Sequence, residues 1–184
     1  MSESKKVVAI VGMAGSGKTE VAKAFEQHGF SRVRFGDITD EEVRKSGLVL
    51  NEENERRIRE SLRKEHGMAA YAELNLPRID AALKKSDVVV DGLYSWEEYT
   101  FLKDRYGEDF SVVAVWASPE TRYNRLGSRA ERPLTRAEAA GRDRTEIENT
   151  NKGGPIAMAD YAIINEASLS DLEEQVSKVL ARLK

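Results

Sequence analysis

Gly12-Met13-Ala14-Gly15-Ser16-Gly17-Lys18-Thr19 reads G-x-x-x-x-G-K-T, the pattern of a phosphate-binding loop. Its flanks agree with it. Val7-Val8-Ala9-Ile10-Val11 is apolar, mostly β-branched and lacks a helical period, which predicts a buried strand. Residues 20–26 place Val21, Ala22 and Phe25 on one face of a helix. In such a loop the glycines let backbone N–H groups turn inward as an anion nest, and the helix start adds its positive dipole end. Lys18 brings a charge to the β- and γ-phosphates, and the Thr19 hydroxyl can ligate Mg²⁺. Residues 12–19 therefore predict a site for a nucleoside triphosphate and Mg²⁺.

The 184 residues fit one domain, with 40% hydrophobic and 33% charged residues, as in a soluble globular protein. No window is apolar enough to span a membrane, and the first strand is too short for a signal segment. Cysteine is absent, which excludes disulfides, thiolate metal sites and a cysteine nucleophile. The cytoplasm is the expected compartment. A net charge of −3 argues against a general nucleic-acid surface.

Along the chain, residues 31–35, 87–91, 111–117 and 161–164 read as further strands, separated by helical segments. Asn51 is a plausible N-cap for a charged helix over 52–66, stopped by Gly67. Residues 68–85 continue helical with Pro77 as a kink or break. Ser95 and Thr135 each head a capping-box pattern, Pro119 follows Ser118 at a first helical position, and Ser170 is read as the cap of the last helix. Residues 152–155, Lys-Gly-Gly-Pro, read as a loop. Alternating strands and helices predict a parallel, doubly wound α/β sheet. Two segments are not needed for its core. Residues 37–86 are expected to bind the phosphate acceptor, and residues 129–154 to form a lid over the strands' carboxyl ends.

Asp91 closes a run of three valines and is placed to hold Mg²⁺ opposite Thr19. Gly92 stands where many hydrolytic P-loop proteins carry a water-activating glutamate, which favours transfer to a bound acceptor. Guanine recognition by Asn-Lys-x-Asp is not met, since Asn151-Lys152 is followed by two glycines. Between 122 and 144 every basic residue is arginine: Arg122, Arg125, Arg129, Arg132, Arg136, Arg142 and Arg144. Guanidinium forks grip phosphate bidentately and keep their charge in a closing site. One arginine on a transferring phosphoryl group is worth about 10³–10⁵ in rate. Arg122 and Arg136 are expected to form surface pairs. Arg125, Arg129, Arg132, Arg142 and Arg144 are the candidates for phosphate.

Asp37 either orients the acceptor or its metal, or caps the next helix. Arg56, Arg57, Arg59 and Arg63, interleaved with glutamates, read as a solvated face. Arg78 is a candidate acceptor-phosphate ligand. His28 and His66 read as helix-end residues, and Trp96 and Trp116 as packing. Tyr94 could line the acceptor pocket.

Together these residues resemble the nucleoside-monophosphate-kinase-like group of P-loop kinases. Within it they resemble a largely archaeal family related to adenylate kinase and dephospho-CoA kinase. The marks beyond residues 12–19 are Phe35-Gly36-Asp37, Val88 to Gly92, Ala117-Ser118-Pro119-Glu120-Thr121-Arg122, Arg125-Leu126-Gly127-Ser128-Arg129, Arg142-Asp143, and Ala159-Asp160-Tyr161 running on to Asn165. The resemblance covers nearly the whole chain. It implies a three-layer P-loop kinase fold with a five-stranded parallel sheet, a helical acceptor-binding insertion and an arginine-rich lid. It also implies ATP as donor, with adenine near Asn165 and the lid. The implied reaction moves the γ-phosphoryl group to a nucleotide-like small molecule, first a nucleoside monophosphate and second dephospho-CoA. An ATP-binding regulatory or assembly protein with slow hydrolysis is the alternative of another class. In one place the chain departs from the pattern: three residues after Asp37, where related kinases tend to carry arginine, stands Asp40.

Overall fold

Five parallel strands form one sheet in the order β2-β3-β1-β4-β5: β1 Val7–Val11, β2 Ser31–Arg34, β3 Val88–Asp91, β4 Phe110–Trp116 and β5 Tyr161–Ile164. The structure is a computed structural model that describes residues 4–130 and 133–183. Every residue of β1 and β3 is buried, because helices cover both faces of the sheet. On one face Val7, Ala9, Val90, Val112 and Ala114 pack against Tyr71, Ile79 and Leu102. On the other, Val8, Ile10, Val113, Val115 and Ile163 meet Val21, Phe25, Leu172 and Val176. This is the three-layer P-loop kinase architecture the sequence predicts.

The helices are α1 Lys18–Gln27, α2 Asp37–Lys45, α3 Glu52–His66, α4 Ala70–Leu83, α5 Trp96–Tyr106, α6 Pro119–Gly127, α7 Arg136–Thr150, α8 Gly153–Ala157 and α9 Leu169–Arg182. Local chemistry starts several of them: Asn51, Ser95, Ser118 and Thr135 each accept a backbone N–H with the side chain, and Thr135 with Glu138 completes a capping box. Three boundary expectations change. Residues 153–157 form the short helix α8, fixed by the buried Pro155. The last helix starts earlier, because Ser168 rather than Ser170 forms the capping box, with Asp171. Helix α4 runs through Pro77, since Tyr71, Ala72, Asn75 and Ile79 are buried on both sides of it.

All five strands point the same way, so residues 12–17, Phe35-Gly36, Gly92, Ala117-Ser118 and Asn165 gather at one edge of the sheet. A third small core of Ala14, Leu126 and Ala139, with Tyr123 and Leu134 beside it, ties α6 and α7 to the phosphate loop. Among the described residues no helix is long and apolar enough to cross a membrane.

Candidate active site

The loop between β1 and α1 has the conformation an anion nest needs. Gly12, Gly15 and Gly17 have φ values of 150°, 80° and 96°. A Cβ would stand 2.3 Å from the Val115 carbonyl oxygen at Gly12, and 2.1 Å from Asn165 Nδ2 at Gly17. Gly17 caps α1 without a side chain, so the first N–H groups of that helix remain available, and the buried Ser16 hydroxyl has no hydrogen-bond partner. These features fit a bound polyphosphate.

Lys18 folds back on the loop and donates to the Met13 carbonyl at 3.0 Å. Burial, and then the charge of Lys152, pull its pKa down to about 7 against the opposing pull of Glu146 and Asp91. Thr19 is the second residue of α1 and exposed. Asp91, at the end of β3, is 6% exposed, and its Oδ2 accepts from both Nε and Nη2 of Arg32 on the neighbouring strand. It faces Lys18 electrostatically and is also the anchor of a buried ion pair.

Asn165 donates its side-chain amide to the Ser16 carbonyl at 2.8 Å, and Arg125 donates to the Asn165 carbonyl at 2.9 Å. The Arg125 Nη1 is buried without a partner. The nucleotide-side candidates Arg125 and Asn165 are thus joined in one chain of contacts to the loop.

A cleft of about 280 Å³ opens at the carboxyl ends of β2 and β3, lined there by Arg34, Gly36 and Tyr94. Residues 37–86 contribute Thr39, Asp40, Glu52, Glu55, Arg59 and Tyr71 to it, and Arg129, Leu134 and Arg142 complete the lining. Residues 37–86 and 129–154 meet here, and Tyr94 lines the pocket. The expectation that residues 37–86 lie outside the core is corrected, because Ile38, Ala70, Tyr71, Ala72 and Ile79 are buried against the sheet. Arg34 reaches Asp37 at 2.9 Å and Asp40 at 3.0 Å, so the cation missing at position 40 enters the cleft from the end of β2. Asp37 itself is not a lining residue; its carboxylate accepts from Arg34 at the start of α2.

Several arginine expectations are corrected. Arg122 is 4% exposed, not a surface residue. It donates two hydrogen bonds to the Asp143 carboxylate, at 2.8 and 2.6 Å, and also donates to the Ala14 and Ala117 carbonyls. Arg59 belongs to the cleft, where it pairs with Glu52 and Glu55, instead of to a solvated face. Arg78 pairs with Glu41 between α4 and α2, away from the cleft, and Arg144 pairs with Glu148 in solvent. Arg136 makes the exposed pair expected of it, with Glu120. Arg132 lies outside the described residues.

The sequence reading gave no role to Arg34 or Glu146 and placed Lys152 only in a loop. Lys152 is 2% exposed, bonds Glu146 at 2.8 Å and lies over the Tyr94 ring at 5.4 Å. Burial raises the Glu146 pKa, but Lys152, Arg142 and Lys18 outweigh it and hold the carboxyl down to about 2.

The loop, the sheet order and the cleft give the molecule the fold of the P-loop kinases. A crystal structure of shikimate kinase from Bacteroides thetaiotaomicron superposes at a TM-score of 0.62, with 15% identity, 97% of this chain and 98% of that one covered. That of TT1252 from Thermus thermophilus superposes at 0.66, with 21% identity, 99% of this chain and 100% of that one. A family profile described as "AAA domain" matches residues 8–149. UPF0200 protein TK1334 of Thermococcus kodakarensis is 39% identical over 178 residues, covering 95% of this chain and 96% of that protein. The chain belongs to the UPF0200 family.

Proposed function

We propose that the protein is an ATP-dependent phosphotransferase that moves the γ-phosphoryl group to a compact anionic acceptor, with a nucleoside monophosphate as the first choice. The observation that carries this reading is the position of Arg142. It lines the cleft with Arg34, Arg59 and Arg129, and its charge also acts on Lys18 in the phosphate loop. One residue thus joins the donor side to the acceptor side, the arrangement a direct transfer requires.

When bound, ATP would supply the phosphoryl group, and Mg²⁺ would offset the negative charge of the phosphates. The backbone of residues 12–17 and the α1 N-terminus hold the phosphates, and Lys18 leaves the Met13 carbonyl to contact them. Thr19 and Asp91 are the residues that would hold the metal. Arg34 and Arg59 are balanced by Asp40, Glu52 and Glu55, so an acceptor phosphate or carboxylate competes with these side chains for guanidinium forks already in position. Thr39 and Tyr71 hydrogen-bond each other at 2.5 Å and are buried in the wall of the cleft, which they brace.

The test is ADP release from ATP and Mg²⁺ across a panel of nucleoside monophosphates, dephospho-CoA and small hydroxy acids. A kinase shows release stimulated by one acceptor class and saturating with it. Slow release that no acceptor changes would replace this reading with a regulatory or assembly ATPase.

A further inference from the structure

Helix α7 ends with Asn151 in the left-handed region at φ 50°, which turns the chain back over the helix's last turn. The backbone N–H of Lys152 then donates to the Glu146 carbonyl at 3.3 Å, and its ammonium donates to Glu146 Oε2 at 2.8 Å. Lysine is seldom this deeply buried, and an ammonium taken out of water needs a compensating charge. Glu146 is already shared, since its Oε1 accepts from Arg142 at 3.3 Å. Lys18 feels the fields of Lys152, Glu146 and Arg142 together. Two cations therefore ion-pair with one carboxylate whose charge also reaches Lys18 of the phosphate loop, and Asp91, which likewise acts on Lys18, is engaged by Arg32. The corner carries positive charge in excess of its internal anions. A strut at the end of a lid helix needs one lysine and one glutamate; it does not need two further cations converging on them.

We propose that Lys152 contacts the γ-phosphate of the bound nucleotide, and that Glu146 holds the Lys152 ammonium in place until the phosphate arrives and takes it over. The inference rests on reading residues 12–19 as a nucleoside triphosphate site. Glu146 stays a carboxylate across the working pH range, so the hand-over exchanges one anion for another without a proton. It also gives the lid a reason to settle on ATP: residues of α7 and the turn after it gain a partner that ADP lacks.

The experiment compares binding of Mg²⁺-ATP and Mg²⁺-ADP to the full chain by calorimetric titration, for wild type, Lys152→Gln, Lys152→Arg and Glu146→Gln. Loss of one charge-assisted contact to the γ-phosphate weakens ATP about tenfold in Lys152→Gln. ADP affinity stays near wild type, and Lys152→Arg recovers part of the ATP loss. Glu146→Gln acts with the opposite sign and tightens ATP relative to ADP, because the competing anion is gone. A purely structural ion pair gives another pattern: both neutralising substitutions weaken ATP and ADP alike, which would overturn the proposal. Should Lys152→Gln fail to fold, Glu146→Gln decides alone, with a raised ATP-to-ADP preference supporting the proposal and an unchanged or lowered one overturning it. If wild type binds neither nucleotide, the nucleotide reading itself falls, and the Lys152 assignment with it.

Discussion

At the scale of single residues, the phosphate loop combines few side chains with clear consequences. Lys18 is the charge that reaches the β- and γ-phosphates, and the nest around it is backbone. Lys18→Ala should therefore keep its circular dichroism spectrum, bind ATP more weakly and lose nearly all turnover; wild-type turnover would remove the loop from the mechanism. Asp91 carries two tasks that can be separated. It anchors Arg32 in a buried pair, and breaking such a pair costs about 3–5 kcal/mol. Both Asp91→Asn and Arg32→Gln should lower the melting temperature, but only Asp91→Asn should raise the Mg²⁺ concentration needed for half-maximal activity. Equal magnesium curves for the two variants would leave Asp91 a structural residue. Glu98 is the second buried acid of interest. It accepts from the Tyr94 N–H at 2.7 Å, its Oε1 has no partner, and burial raises its pKa to about 7, opposed by the Tyr94 and Ser95 N–H groups and by Arg63 and Lys152. A folded pKa above the unfolded one means that the native state binds the extra proton, so this residue costs stability as pH rises from about 4.5 to 7. Glu98→Gln, which can still accept from Tyr94, should melt above wild type at pH 8, with the gap closing towards pH 5. A gap independent of pH would contradict the assignment.

Among elements, α6 and α7 form the lid's rigid base. Arg122 joins Asp143 on α7, the Ala14 carbonyl in the phosphate loop and the Ala117 carbonyl after β4, so the lid helix and the loop share one side chain. The all-arginine run is therefore not one functional class. Arg122 is an internal tie, Arg144 and Arg136 are solvated, and Arg129 and Arg142 line the cleft. An arginine that acts on the transferring phosphoryl group stabilises the transition state more than bound ATP. Arg129→Lys keeps the charge but loses the planar fork, so it should lower kcat strongly with little change in ATP affinity, while Arg136→Lys should be nearly silent. Equal kcat values for these two variants would mean that the cluster is a solvated surface. The caps at Asn51, Ser95, Ser118 and Thr135 were legible in the sequence because capping is decided within four residues. The burial of Arg122 and Lys152 was not, because their partners lie across a tertiary contact or behind a left-handed turn. Arg34 and Arg59 were hidden in charge patterns that also describe an ordinary exposed helix or strand end.

For the whole molecule, the parallel sheet explains why residues so far apart in sequence converge. Each strand delivers its following loop to the same edge, and residues 37–86 and 129–154 both line the cleft there. The parallel sheet and the phosphate loop followed from strand spacing and the glycine pattern. The cleft did not, because it is assembled from side chains of β2, α2, α3, α4, the turn after β3, and Arg129, Leu134 and Arg142. The central claim is that a phosphoryl group passes from the loop into this cleft. The most direct measurement follows γ-labelled ATP with Mg²⁺ and the stimulating acceptor, in wild type and in Arg59→Ala, and asks where the label ends. The account predicts label in the organic acceptor in equal amount to ADP formed, with Arg59→Ala raising the acceptor KM and leaving the ATP KM unchanged. Label recovered as inorganic phosphate, at a rate that neither the acceptor nor Arg59→Ala alters, would contradict it.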